Sequence, residues 1–335
     1  MRRKRKFYRG VVNHVYQKTV DGIILFYSRA DYLVFFTILS VCAKSCEIKI
    51  MMSCIMLDHF HLLARTESAK ELSEFMKRFT AWFAKEFNTH VGRKGQVFKK
   101  NFGSAPKWDN KALRSAINYI GNNPVEKNLC KYAEEYRWGF LGFLHSDNPF
   151  SAPINLRKAR LPLKKAIKEV NLMATQNIPL NHAQLKRMFK DLNEMETEQL
   201  TDYIISIYNP IAKDDTVAYY GSYEAMTDAM KNNTGSDFDI KEKNDRLSHV
   251  PFMEMIQYLR KRMAEEDIRK VTMLGIDEKM ELAMELLKNT SATPMHIGKF
   301  LHMSISKADN NNTLTHNLLP EILAANGEQG EDIKD

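Results

Sequence analysis

The spacing of apolar positions changes along the chain. In the first 150 residues, stretches that alternate every second residue are interleaved with stretches of helical spacing. Residues 11–16 and 23–27 read as two strands around an Asp21-Gly22 turn, and 47–56 and 59–65 as two more, joined by a tight turn at Leu57-Asp58. Residues 31–43 predict a helix, apolar at Leu33, Phe36, Ile38 and Leu39. Ser68 and Glu71 form a capping box for a second helix to about Phe87, with Leu72, Phe75, Met76, Phe79, Phe83 and Phe87 as its stripe. A third is capped by Asp109 or Asn110 and ended by Pro124. Beyond residue 150 the spacing is helical only, over 162–175, 181–194, 196–208, 221–231, 251–265 and 277–288, with a last helix from Pro294 to His302.

Pro149, Pro153 and Pro162 lie in a polar stretch between these two regimes. The expected organisation is a first domain over 1–148, a linker over 149–162 and a helical region over 163–265. A helix-turn-helix-like segment at 266–310 and a disordered acidic tail at 311–335 complete it. The apolar run from Leu33 to Cys42 is too short to span a bilayer, and the basic start lacks a signal-peptide core, so the expectation is a cytoplasmic protein with no membrane partner. Four cysteines without paired metal spacing read as buried thiols. The net charge of +8 divides into +12 over 1–150 and −4 over 151–335. The basic half points to a polyanion, nucleic acid before membrane.

Two short constellations carry chemistry. His59-Phe60-His61 on a strand places both imidazoles on one face, where they can share a divalent metal. Tyr119 and Asn123, four apart on a helix, are neighbours: a phenol nucleophile beside an amide oxygen that can be a third ligand. Taken singly, each is as well read as ordinary surface or core.

Together they are specific. Met56-Leu57-Asp58-His59-Phe60-His61-Leu62-Leu63 resembles the Met-Pro-Asn-His-hydrophobic-His-Leu-Leu signature of the single-tyrosine HUH transposases. Tyr119-Ile120, then Asn123-Pro124-Val125, Leu129 and Tyr136-Arg137-Trp138, resembles their tyrosine helix, most like the REP-associated tyrosine transposases. Gly95 to Phe102 resembles the segment between those motifs, with Phe98-Lys99 in place of Trp-Gln. Asp58 stands where the signature has Asn, and Leu57 where it has Pro.

The resemblance covers about residues 7–143. It implies an α+β, ferredoxin-like domain with a central antiparallel sheet, followed here by a mainly α-helical C-terminal region. It implies Tyr119 as catalytic nucleophile, His59, His61 and Asn123 as metal ligands for Mg²⁺ or Mn²⁺, and cleavage through a 5′-phosphotyrosine. The partner implied is single-stranded or hairpin DNA, with a homodimer as a further expectation. Arg3, Lys4, Arg5, Lys6, Arg93, Lys94, Lys99 and Lys100 are the candidate phosphate contacts, and Phe98 a candidate base-stacking ring. Two rivals stand beside this reading: a catalytically idle, domesticated DNA-binding regulator, and a rolling-circle-type replication initiator.

Overall fold

β1 (Val12–Lys18) is the strand on which the sheet is built. The computed structural model describes residues 8–234 and 248–303, and Arg3, Lys4, Arg5, Lys6, the end of the helix-turn-helix-like segment and the acidic tail lie outside them. β1 pairs antiparallel with β3 (His59–Arg65) on one side and β4 (Gly103–Lys107) on the other. β2 (Lys49–Ile55) pairs with β3, giving the order β2-β3-β1-β4. α1 (Arg29–Ser45) joins β1 to β2, α2 (Ala69–Val91) joins β3 to β4, and α3 (Asn110–Glu126) follows β4. This β-α-β-β-α-β succession with an antiparallel sheet is ferredoxin-like, as the sequence motifs imply. Eight further helices follow among the described residues.

The segment 23–27 is buried and extended but is not a strand. Both edges of β1 are already occupied by β3 and β4, so the expected hairpin partner is not open to it. It runs instead as a strap, Leu25 N–H donating to Leu57 O and Ile24 N–H to Lys299 O. The fourth strand is Gly103–Lys107, which the apolar pattern did not mark; Pro106 is tolerated because β4 is an edge. Gly103 faces Tyr16 in register, and a Cβ there would lie 2.1 Å from the Tyr16 ring, so only glycine lets that ring cross the strand. Pro124 does not end α3, which continues to Glu126. Its missing N–H forfeits one bond close to the end, where interruption is cheapest.

α1 and α2 pack on one face of the sheet, against Val15, Phe60, Leu62 and Ala64. α3 packs on the other, where Leu113, Ile117 and Ile120 meet Val12, Met52, Cys54 and Leu63. Residues 31–43 of α1 are buried on every side. A helix apolar all round needs cover on its outer face. α5 (His182–Phe189) and α6 (Glu194–Tyr208) provide it, with α4 (Leu161–Thr175) behind them.

The apolar core therefore continues through the 149–162 stretch. Polar contacts cross it too. Asp31, fully buried, pairs with Arg269 and with His182 Nε2 at 3.1 Å. Arg137 pairs with Asp202 at 3.2 Å. α7 (Lys213–Val217) lies against β2, and α8 (Tyr223–Asn232) covers the outer face of α3. α9 (Val250–Arg260) leads to a 3-10 segment, Glu265–Met273, that reaches α1 and α2.

α10 (Ile276–Asn289) and α11 (Pro294–Phe300) match the expected pair of helices before and after a turn. α11 faces inward: Ile297 and Phe300 are buried, and the Tyr27 hydroxyl donates to Phe300 O at 2.5 Å. His302 Nε2–H donates to Ile24 O at 2.8 Å.

Burial pushes His302 and His90 down to about 4. In the unfolded chain each returns to about 6.5. Between those values the unfolded state binds more protons, so stability is complete above about pH 6.5 and falls as pH drops toward 4. Thermal melts at descending pH should show the melting temperature falling through this window; a flat profile contradicts the assignment.

Candidate active site

β1 and β3 carry alternate side chains to the α3 face. In register, Tyr16 stands opposite His61 and Lys18 opposite His59, while His14 is opposite Leu63. His14, Tyr16, His59 and His61 therefore share the surface on which α3 lies. From α3, Tyr119 and Asn123 project toward it. The Tyr119 ring is 5.5 Å from His61 and 5.8 Å from His14, both edge-on. Asn123 Nδ2 lies 3.3 Å from His61 Nε2. The four residues singled out by motif are thus brought together, and all are buried.

Each of the two motif histidines is engaged at Nδ1. His59 Nδ1–H donates to Asp58 Oδ1 at 2.6 Å. His61 Nδ1 is 3.0 Å from His14 Nε2, and with the Asn123 amide donating to Nε2 of His61, the proton in that contact sits on His61. Both rings then present an Nε2 lone pair, with centroids 5.0 Å apart. Partners on Nδ1 are what fix the tautomer of metal-binding imidazoles. Asn123 Oδ1 is buried with no hydrogen-bond partner among the described residues. A half-turn of the amide would direct that oxygen at whatever His61 Nε2 holds. Two imidazole nitrogens and one amide oxygen suit a divalent cation of the Mg²⁺ or Mn²⁺ type, so the donor set fits. Among the described residues no group of three or more His, Cys, Asp or Glu side chains offers another metal site.

Burial holds His14 well below its ordinary value, with His61 and Lys107 adding to the effect, so it is neutral at pH 7. For Asp58, burial pushes the carboxyl up, but the hydrogen bond from His59 Nδ1–H and the nearness of the His59 and His249 rings outweigh it and hold it well below the usual carboxylate range.

His14, Tyr16 and His249 were not read from the sequence as part of this site. The alternation of His14 and Tyr16 along β1 held a signal for two of them; His249, far away in the chain, had none.

The candidate DNA contacts divide. Lys94, Lys99 and Lys100 are exposed. Lys99 and Lys100 line a groove of about 460 Å³ with Lys77 and Thr80 of α2. It opens on the α2 side of the sheet, opposite the face that carries the histidines. Arg93 is braced within its own loop, donating to Asn88 Oδ1 and Gln96 O. Phe98 is corrected: it is 6 % exposed and packed among Phe35, Phe60 and Phe83, so it cannot stack on a base. Two exposed rings, Tyr8 and Trp108, stand at the other end of β1, their centroids 3.7 Å apart.

No helix among the described residues is long and apolar enough to cross a membrane. No curated protein matches the chain. Among solved structures, a REP-associated tyrosine transposase bound to a REP hairpin is similar at 16 % identity and a TM-score of 0.36, over 42 % of this chain and 82 % of that one. Residues 26–123, which carry His59, His61, Tyr119 and Asn123, match the family described as transposase, IS200-like.

Proposed function

We propose that this protein is a metal-dependent, single-tyrosine transposase that cleaves and rejoins single-stranded DNA at hairpin-bearing sequences through a 5′-phosphotyrosine. The observation that supports it best is the convergence of Tyr119 and Asn123 from α3 on His61, with His59 alongside. His59, His61 and Asn123 would hold Mg²⁺ or Mn²⁺, which when bound polarises the scissile phosphate. A phenol, with an ordinary pKa of about 10, is a weak nucleophile at neutral pH, so it needs such an electrophile. The Tyr119 oxygen attacks phosphorus and loses its proton. The P–O3′ bond breaks, and the departing oxygen takes up a proton as a 3′-hydroxyl. The phosphodiester energy stays in the tyrosine ester, so the reverse step rejoins DNA without ATP. The net charge of +12 over residues 1–150 favours the polyanion, with Lys94, Lys99 and Lys100 available to phosphates.

The test is nicking of labelled single strands from the flanks of the gene in Mg²⁺ or Mn²⁺. A covalent protein–DNA adduct is expected on a denaturing gel. His59→Ala and His61→Ala should each lower cleavage by at least about a hundredfold, as loss of a first-line metal ligand does. Cleavage that survives a chelator, or that is unchanged in both variants, overturns the metal assignment.

The burial of Tyr119, which is 2 % exposed, favours a second reading, a DNA-binding protein whose site stays closed. Retention of DNA with no adduct under any metal supports that reading against the first.

A further inference from the structure

Asp58 is the one residue beside the histidine pair that departs from the family signature in charge, replacing Asn by a carboxylate. A buried carboxylate must be compensated. Part of the compensation is local, the hydrogen bond from His59. A second imidazole stands against the carboxylate from outside residues 26–123. His249, at the start of α9, places Nε2 3.5 Å from Asp58 Oδ1 and its ring 6.3 Å from that of His59. His249 is 3 % exposed, and its Nδ1 has no hydrogen-bond partner among the described residues. Lys299 of α11 lies beside Gly22, its side chain 3.1 Å from where a Cβ there would lie. The main chain of α11 is fastened there by Ile24 N–H to Lys299 O.

We infer that His249 is a positioning residue of the nuclease site: with His59 it brackets the Asp58 carboxylate, so that the C-terminal helical region fixes the orientation of one metal-binding imidazole. The inference rests on the metal-site reading proposed above. Asp58 orients His59 through Nδ1, and His249 limits where Asp58 can swing. An Asn at position 58 would still accept from His59 Nδ1–H through its amide oxygen, but would present no carboxylate oxygen to His249 Nε2. The extension and the departure from the signature are then two halves of one arrangement.

The test is a double-mutant cycle on the full chain, read as Mn²⁺ affinity by electron paramagnetic resonance without DNA. His249→Ala should weaken Mn²⁺ binding about tenfold, the scale on which partners of metal ligands act. His249→Gln, which keeps an N–H donor, should recover most of that loss. In the Asp58→Asn background, His249→Ala should change affinity by less than about twofold, because the coupled pair is already gone. Unchanged affinity in His249→Ala overturns the inference alone. An equal loss in both backgrounds also overturns it, since that is the pattern of a purely structural effect. Failure of the wild type to bind Mn²⁺, or binding that His59→Ala leaves intact, overturns the metal-site reading and this inference with it.

Discussion

Tyr119→Phe should abolish the covalent protein–DNA adduct and lower nicking by about a thousandfold or more, the scale of losing a nucleophile. DNA affinity should change by less than about threefold, under about 0.7 kcal/mol. The substitution removes one oxygen and leaves a ring that is 2 % exposed and already seated against His61 and His14. The melting temperature should accordingly move by no more than a few degrees. Adduct formation on a denaturing gel, filter binding and a thermal melt separate the three quantities. An adduct that persists would transfer the role to another tyrosine. Tyr132 is the first alternative, since it is exposed, whereas the Tyr136 hydroxyl donates to Ile55 O.

A chain ending at Pro149 should fail to fold cooperatively. Charge and motifs both lie before that point, and the prolines read as a linker, which on sequence alone favours a free-standing nuclease. The packing gives the opposite expectation. Without α5 and α6, the outer face of α1 would expose apolar side chains that are now fully buried. Each large one costs about 1.5–3 kcal/mol to return to water. Asp31 would lose both Arg269 and His182. Breaking a buried ion pair by removing one partner costs about 3–5 kcal/mol. A domain has about 5–15 kcal/mol in total, so these losses suffice to unfold it. α3 would also lose α8, whose Met230 O accepts from Asn122 Nδ2 at 2.8 Å on the tyrosine helix. Circular dichroism and calorimetry of the truncated chain check this. A sharp thermal transition together with nicking would show that the first half stands alone.

Much of the fold was legible because local signals agreed. β3 occupies the residues expected of it, since His59-Phe60-His61-Leu62-Leu63 alternates with Phe60 and Leu62 toward α1 and α2. α2 starts at the Ser68 cap, whose side chain accepts from Glu71 N–H, and ends at Gly92 with φ of 73°. The strand expected at 23–27 failed because pairing is a property of the sheet. Its apolar residues marked burial correctly, but β1, the strand it would pair with in a hairpin, has β3 and β4 on its two edges. β4 was missed for the converse reason: Gly103–Lys107 has no strand-forming composition and is a strand because β1 has an edge to fill. Phe98 read as a ring among lysines, yet its side chain turns inward to a cluster of phenylalanines distant in sequence.

By itself the sequence determined the identity of the chemical groups, their pairing on one strand face and one helix face, and the basic charge of the half that carries them. Those are local properties, set by periods of two and 3.6 residues and by composition. Only the tertiary structure decided that α3 lies over the histidine face, that His14 and Asp58 occupy the two Nδ1 positions, and that His249 stands behind Asp58. It also decided that the C-terminal helices are not an appendage. The all-apolar α1 announced that something must cover it. Which helices do so depends on contacts between residues more than 100 positions apart, such as Asp31 with His182 and Arg269, and a local pattern contains no information about which distant partner will pack there.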